Sequence, residues 1–163
     1  MTLLNQHIKE EIDTWVQKFP QGKQRSAIIA SLHSVQHFNQ GFLTAELMNE
    51  VADYLDLPRI QVFEVATFYS MFNTEPVGIH EISICTNISC MLRGSDEILD
   101  HIQKRLSIKA GESTPDGKIF LKKEEECLAA CTGAPMLMID HQYIENLNIK
   151  KVDEIIDELE NNN

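Results

Sequence analysis

Basic residues are scarce in this chain: 14 Lys and Arg stand against 25 Asp and Glu, a formal net charge of −11 at pH 7. Phosphate backbones are gripped by Lys and Arg, so nucleic-acid binding is not expected, and the same shortage argues against an anionic membrane surface. A charge of this size keeps a protein in solution and can match a basic partner surface. Long apolar runs are missing as well. The charge-free apolar run CLAACTGAPMLMI has 13 residues and is too short to span a bilayer. The opening MTLLNQHIKEEIDTWV lacks a basic n-region, an apolar h-region and an Arg-rich amphipathic pattern. Neither secretory nor mitochondrial targeting is therefore expected of the chain as given. Cysteine is sparse too, with four among 163 residues, all in two close pairs. Where secretion is not expected, such cysteines read as metal ligands or redox groups before structural disulfides.

What is present is a globular composition, 43% hydrophobic and 24% charged, long enough for one medium domain or two small ones. Residues 1–76 read as four short amphipathic helices. The first covers about 5–19, with Ile8, Ile12, Trp15 and Phe19 on one stripe and Pro20 and Gly22 as its stop. The second covers about 23–40, turning Ile28, Ile29, Leu32, Val35 and Phe38 inward before Gly41. Thr44 can cap a third, AELMNEVADYL, and Pro58 suits the first turn of a fourth, RIQVFEVATFYSMF. A DNA-binding helix pair is disfavoured, because this half holds five Lys and Arg against nine acids.

The pattern changes after FNTEPVG (72–78), the expected domain boundary. HEISIC alternates as a strand running into Cys85, and Ser95 is placed to cap the helix DEILDHIQKRL, whose charges follow the helix dipole. TPDG marks a turn before a strand at KIFLK, PMLMID and QYIEN suggest a hairpin, and Asn148 can cap a last amphipathic helix. Residues 77–163 thus predict a small α+β layer of order β-α-β-β-β-α, following a helical subdomain of residues 1–76.

The cysteine pairs are C-x4-C at Cys85 and Cys90 and C-x3-C at Cys127 and Cys131. A sheet can bring both loops to one end, where four thiolates converge. Three chemistries compete. Structural zinc takes four thiolates in tetrahedral geometry, commonly from C-x2-C pairs. Thiol redox chemistry favours C-x-x-C at a helix N-terminus, which is absent. A [2Fe–2S] cluster needs two thiolates per iron over a wider span, which suits these spacings best. The plant-type run is excluded, since the third cysteine lies 37 positions after the second, and no histidine neighbours either pair as a Rieske centre would need. Small residues between and after the second pair, from Ala129 to Pro135, allow backbone N–H groups to approach sulfur. The run Glu124, Glu125 and Glu126 before Cys127 predicts a low reduction potential, unless it is simply a solvated strand end.

The combination CTN-x-x-CMLRGS, TPDG and C-L-x-x-C-x-x-AP, preceded by FEVATFYSMF, resembles a known family over nearly the whole chain. That family is the thioredoxin-like [2Fe–2S] ferredoxins typified by the E subunit of bacterial NADH:quinone oxidoreductase, respiratory complex I. The resemblance implies an α+β fold with an N-terminal helical bundle before a thioredoxin-like α/β domain. It implies one [2Fe–2S] cluster on Cys85, Cys90, Cys127 and Cys131, each pair serving one iron. It also implies partners: the flavoprotein F subunit, carrying FMN and the NADH site, and neighbouring subunits of the peripheral arm. The location implied is cytoplasmic, peripheral on the inner membrane as part of a complex. The chain itself would carry single electrons to and from FMN and would not oxidise NADH alone. Two departures stand out: Ala129 replaces the glycine of the family's C-L-G-x-C, and the stretch from Asp116 to Cys127 is one residue longer than in common relatives. Rival readings are the same module in an NAD-linked hydrogenase or formate dehydrogenase, and a zinc-stapled interaction domain.

Smaller features carry expectations of their own. His33 and His37 share a helical face but read as surface or packing residues. Met91 and Leu92 are expected to cover the cluster from water. Arg93 is either a surface arginine at a helix start, a partner contact or a counter-charge to the cluster. Phe63, Phe68, Tyr69 and Phe72 read as packing residues.

Overall fold

The computed structural model describes residues 3–123 and 127–161. The chain divides into two compact units, Met1–Pro76 and Val77–Asn163. In the first unit, α1 (Gln6–Val16) starts where the Asn5 side chain accepts the Ile8 N–H at 2.9 Å. Ile8 and Ile12 are buried, whereas Trp15 lies partly exposed under the Lys18 ammonium, 3.4 Å from the ring centre. A 3-10 turn (Gln24–Ala27) occupies the stretch expected to open the second helix, so α2 spans only Ile28–Phe38. Its inward arc is Ile28, Ser31, Leu32 and Val35. Ile29 and Phe38 fall outside that arc and face out, against expectation.

Thr44 caps α3 (Ala45–Tyr54) through the Leu47 N–H at 3.2 Å, and Pro58 stands just before α4 (Arg59–Phe68). The fourth helix stops four residues earlier than its apolar pattern suggests. Tyr69 turns extended, and the Gln36 side chain holds the following loop, donating to the Met71 carbonyl at 3.0 Å and accepting from the Asn73 N–H at 2.8 Å. That loop drops Phe72 into the core with Leu32, Leu43 and Val62. Phe63 packs against the same core, but Phe68 is 79% exposed and Tyr69 half-exposed, so the aromatic set is divided rather than uniformly packed.

The second unit is a five-stranded mixed sheet with helices. Its strands are β1 (His80–Ile84), β2 (Glu112–Ser113), β3 (Ile119–Leu121), β4 (Leu137–Ile139) and β5 (Gln142–Ile144), in the order β2-β3-β1-β4-β5. Strand β1 pairs parallel to β3 and antiparallel to β4, with Ile82 opposite Leu121 on one side and Ile139 on the other. The two-residue β2 has no counterpart in the sequence reading; it is too short to show alternation. A short helix α5 (Ile88–Met91) precedes α6 (Ser95–Leu106), and α7 (Ile149–Asn161) closes the chain. Ile98, Ile102 and Leu106 of α6 join Val152, Ile156 and Leu159 of α7 in one core with the strand residues. Outside that core, Arg105 of α6 donates to Asp157 at 2.7 Å and to Glu160 at 2.9 Å on α7. Ser95 does not cap α6. Gly94, at φ 90°, holds the cap position, and Ser95 is the first helical residue.

Candidate metal centre

Topology explains why the two cysteine loops meet. Cys85 follows β1, and its N–H donates to the Met136 carbonyl at 3.2 Å, extending the β1–β4 ladder past Ile84 opposite Leu137. Because β4 runs antiparallel, its N-terminal end lies beside the C-terminal end of β1, and Cys131 sits just upstream in the 3-10 turn Cys131–Gly133. Because β3 runs parallel to β1, the chain leaving β3 towards Cys127 departs from that same end. Cys90 is carried back by α5, which Asn87 caps by accepting the Ile88 N–H at 2.9 Å.

The four cysteines gather there as free thiols. The sulfurs of Cys127 and Cys131 are 3.6 Å apart and exposed, whereas Cys85 and Cys90 are buried. The Cys90 and Cys127 thiols both act on that of Cys85, so the two pairs are neighbours. Among the described residues, no three His, Cys, Asp or Glu side chains form a group that could hold a metal ion. A tight single-ion cage is one thing and a looser quartet of sulfurs another, and the contacts among the cysteines describe the second.

Backbone amides surround the sulfurs. Burial pushes the Cys85 thiol up, but the N–H groups of Leu128 and Asn87 and the two neighbouring thiols donate to it and hold it below the ordinary value. Cys90 is pushed up to about 11, first by burial and then by its bond to Cys85, against the opposing N–H of Met136. At Cys127 the Ala129 N–H pulls the thiol down, yet the bond to Cys131 and nearby charge leave it raised. These four amide donors, from Asn87, Leu128, Ala129 and Met136, escape sequence reasoning, since an N–H carries no residue identity. The small residues of the second loop were the one available signal.

The donor set fits an iron–sulfur cluster: four thiols, two from each loop, with N–H groups directed at sulfur as anionic thiolates require. Buried with Cys85 and Cys90 are Leu128, Ala134 and Met136, which form the apolar floor of the site. Met91 and Leu92 do not cover it as expected; they are 46% and 77% exposed, on the outer side of α5 and its C-terminal turn. Cys90 takes the inward side of that single turn, so its successors point out. Arg93 donates through Nη1 to the Ala134 carbonyl at 3.1 Å and so ties the first loop to the second. Glu124, Glu125 and Glu126, and the low potential expected from them, lie outside the described residues. His33 is not part of this site; its Nε2 lies 3.0 Å from the Met71 sulfur, and its ring packs on Phe72.

A mixed sheet with helices, and two cysteine pairs gathered at one of its ends, define a thioredoxin-like domain of the iron–sulfur class. The chain belongs to the thioredoxin-like [2Fe–2S] ferredoxin family, whose sequence model matches residues 12–160. It is 43% identical over 146 residues to the E subunit of the Rickettsia typhi NADH-quinone oxidoreductase, covering 90% of this chain and 85% of that one. It is 39% identical to the E 2 subunit of the Rhizobium meliloti NADH-quinone oxidoreductase, covering 92% and 87%. Among solved structures, an NAD+-reducing [NiFe]-hydrogenase in the air-oxidized state shares the fold with a TM-score of 0.68 at 22% identity. That match covers 79% of this chain but only 22% of the hydrogenase chain. Among the described residues no helix is long and apolar enough to cross a membrane.

Proposed function

We propose that this chain is the [2Fe–2S] electron-carrying subunit of an NADH:quinone oxidoreductase, with Cys85, Cys90, Cys127 and Cys131 as the ligands. The carrying observation is the meeting of both cysteine loops at one end of the sheet with backbone N–H groups on their sulfurs. Bound there, a cluster supplies a site that takes up and returns one electron. The chain's own residues do the rest. Cys85 and Cys90 hold the inner side, against the floor of Leu128, Ala134 and Met136 that excludes water. Amide N–H groups share the negative charge on sulfur, which eases addition of an electron. Cys127 and Cys131, being exposed, leave one edge where an electron can pass to or from a partner.

That partner is proposed to be the flavoprotein F subunit, with FMN and the NADH site on it, and the location the cytoplasmic peripheral arm of the complex. No substrate pocket is asked of this chain. The hydrogenase reading gains only a shared fold, while the E-subunit relatives match along nearly their full length. Anaerobic reconstitution tests the proposal. About two irons and two sulfides per chain and an S = 1/2 EPR signal after dithionite are expected. A colourless protein that takes zinc and no iron sinks it. A Cys127→Ala chain is expected to lose the cluster, and full loading of that variant removes Cys127 from the ligand set.

A further inference from the structure

Arg93 lies three residues past Cys90, and its backbone N–H donates to the Cys90 carbonyl at 3.0 Å. Its side chain crosses to the other loop, where Nη1 donates to the carbonyl of Ala134 at 3.1 Å. Ala134 is only 2% exposed and directly follows the turn that holds Cys131. Two residues further on, Met136 donates its N–H to the Cys90 sulfur and accepts the Cys85 N–H on its carbonyl. The bonds close a ring that runs from Cys90 through Arg93, Ala134 and Met136 back to Cys90. Arg93 supplies the charged side chain of that ring, and it spans the gap between the two loops.

We propose that Arg93 is a positioning residue for the electron-carrying site: its guanidinium pins the Ala134 carbonyl and thereby holds the Met136 N–H on the Cys90 sulfur. The proposal rests on the iron–sulfur reading above. Two physical effects follow from the same contact. A directed N–H fixes the second loop against the first, and the guanidinium brings a positive charge to the end of the sheet that carries the four cysteines. The first effect governs how firmly the loops retain their metal group, and the second favours its reduced state. A lysine supplies the charge without the planar fork, so substitution separates the two.

The test uses the full chain, anaerobically reconstituted, as wild type, Arg93→Met and Arg93→Lys. Arg93→Met is expected to take up an electron about tenfold less favourably, a midpoint about 59 mV lower for a one-electron couple. Its EPR g-values are expected to shift, and a chelator is expected to strip it roughly tenfold faster, as loss of one charge-assisted hydrogen bond implies. Arg93→Lys is expected to keep most of the wild-type potential while losing its cluster to chelator faster. Wild-type potential, EPR spectrum and release rate in Arg93→Met overturn the role. If Arg93→Met does not load, Arg93→Lys decides: faster release with a shifted EPR signal upholds the role, and a wild-type release rate and spectrum overturn it. A wild-type chain that takes up no cluster overturns the electron-transfer reading and this role with it, an outcome distinct from a loaded wild type beside an unchanged variant.

Discussion

Ala129 stands between Cys127 and Cys131 with φ 60°, in the left-handed region where an L side chain crowds its own carbonyl. Its N–H donates to the Cys127 sulfur, so the conformation serves the site. Glycine adopts this φ without the steric cost of about 1–2 kcal/mol, but gives back some of the gain through a freer unfolded chain. Ala129→Gly is therefore expected to stabilise the chain by about 0.5–1 kcal/mol, read as a higher urea midpoint with unchanged slope. A lower midpoint would mean that the loop does not sit as described. The departure of Ala129 from the resembled family's C-L-G-x-C pattern was legible in sequence; that it marks a left-handed residue was not, because backbone angle shows in sequence only when glycine itself is present. The cysteine pairs were legible for the opposite reason. Sulfur chemistry resides in the side chain, so spacing alone narrowed the site to few chemistries.

At the scale of elements, the strand β1 is held by the two residues before it as much as by its own pattern. Gly78 belongs to the stretch that reads as a domain boundary, yet a Cβ there would come within 2.5 Å of the Ile119 carbonyl carbon and 2.7 Å of the Phe120 nitrogen. Its N–H donates to Ser113 Oγ at 3.0 Å, and Ile79 and His80 continue the ladder to Gly117 and Lys118. Neither strand can shift without breaking the β1–β3 pairing that aims both chain ends at the cysteine site. Gly78→Ala is expected to destabilise the second unit by about 1–3 kcal/mol, the usual cost of overpacking a closed contact. Urea unfolding followed by circular dichroism measures it, and an unchanged midpoint would show the contact to be soft. Periodicity located helices well where caps and stripes agreed, as in α1, α3 and α7, which Asn5, Thr44 and Asn148 cap through their side-chain oxygens. It ran long where a tertiary contact cut in. The Gln36 side chain ends α4 at Phe68 from 32 residues upstream, and no local pattern announces such a bond.

For the whole molecule, the decisive fact is that each unit has its own apolar core. Ile12, Leu32, Leu43 and Val62 anchor one. Ile82, Ile102, Ile119, Leu121, Leu137 and Ile156 anchor the other, and all four cysteines lie within that second unit. The domain boundary at residue 76 is thus proposed to be one of folding and not only of sequence pattern. A fragment of residues 77–163 is long enough to fold without staples, since domains of about 60 residues already do. Its sheet order, its α6–α7 ion pairs and the Arg93 bridge between cysteine loops are all internal to it. Expressed alone, it is expected to unfold cooperatively in urea and to load iron and sulfide with the EPR spectrum of the full chain. The helical unit contributes no cysteine, so its removal is expected to leave the spectrum unshifted. A fragment that stays unfolded, or that folds but loads no iron while the full chain does, would place part of the site's support in residues 1–76.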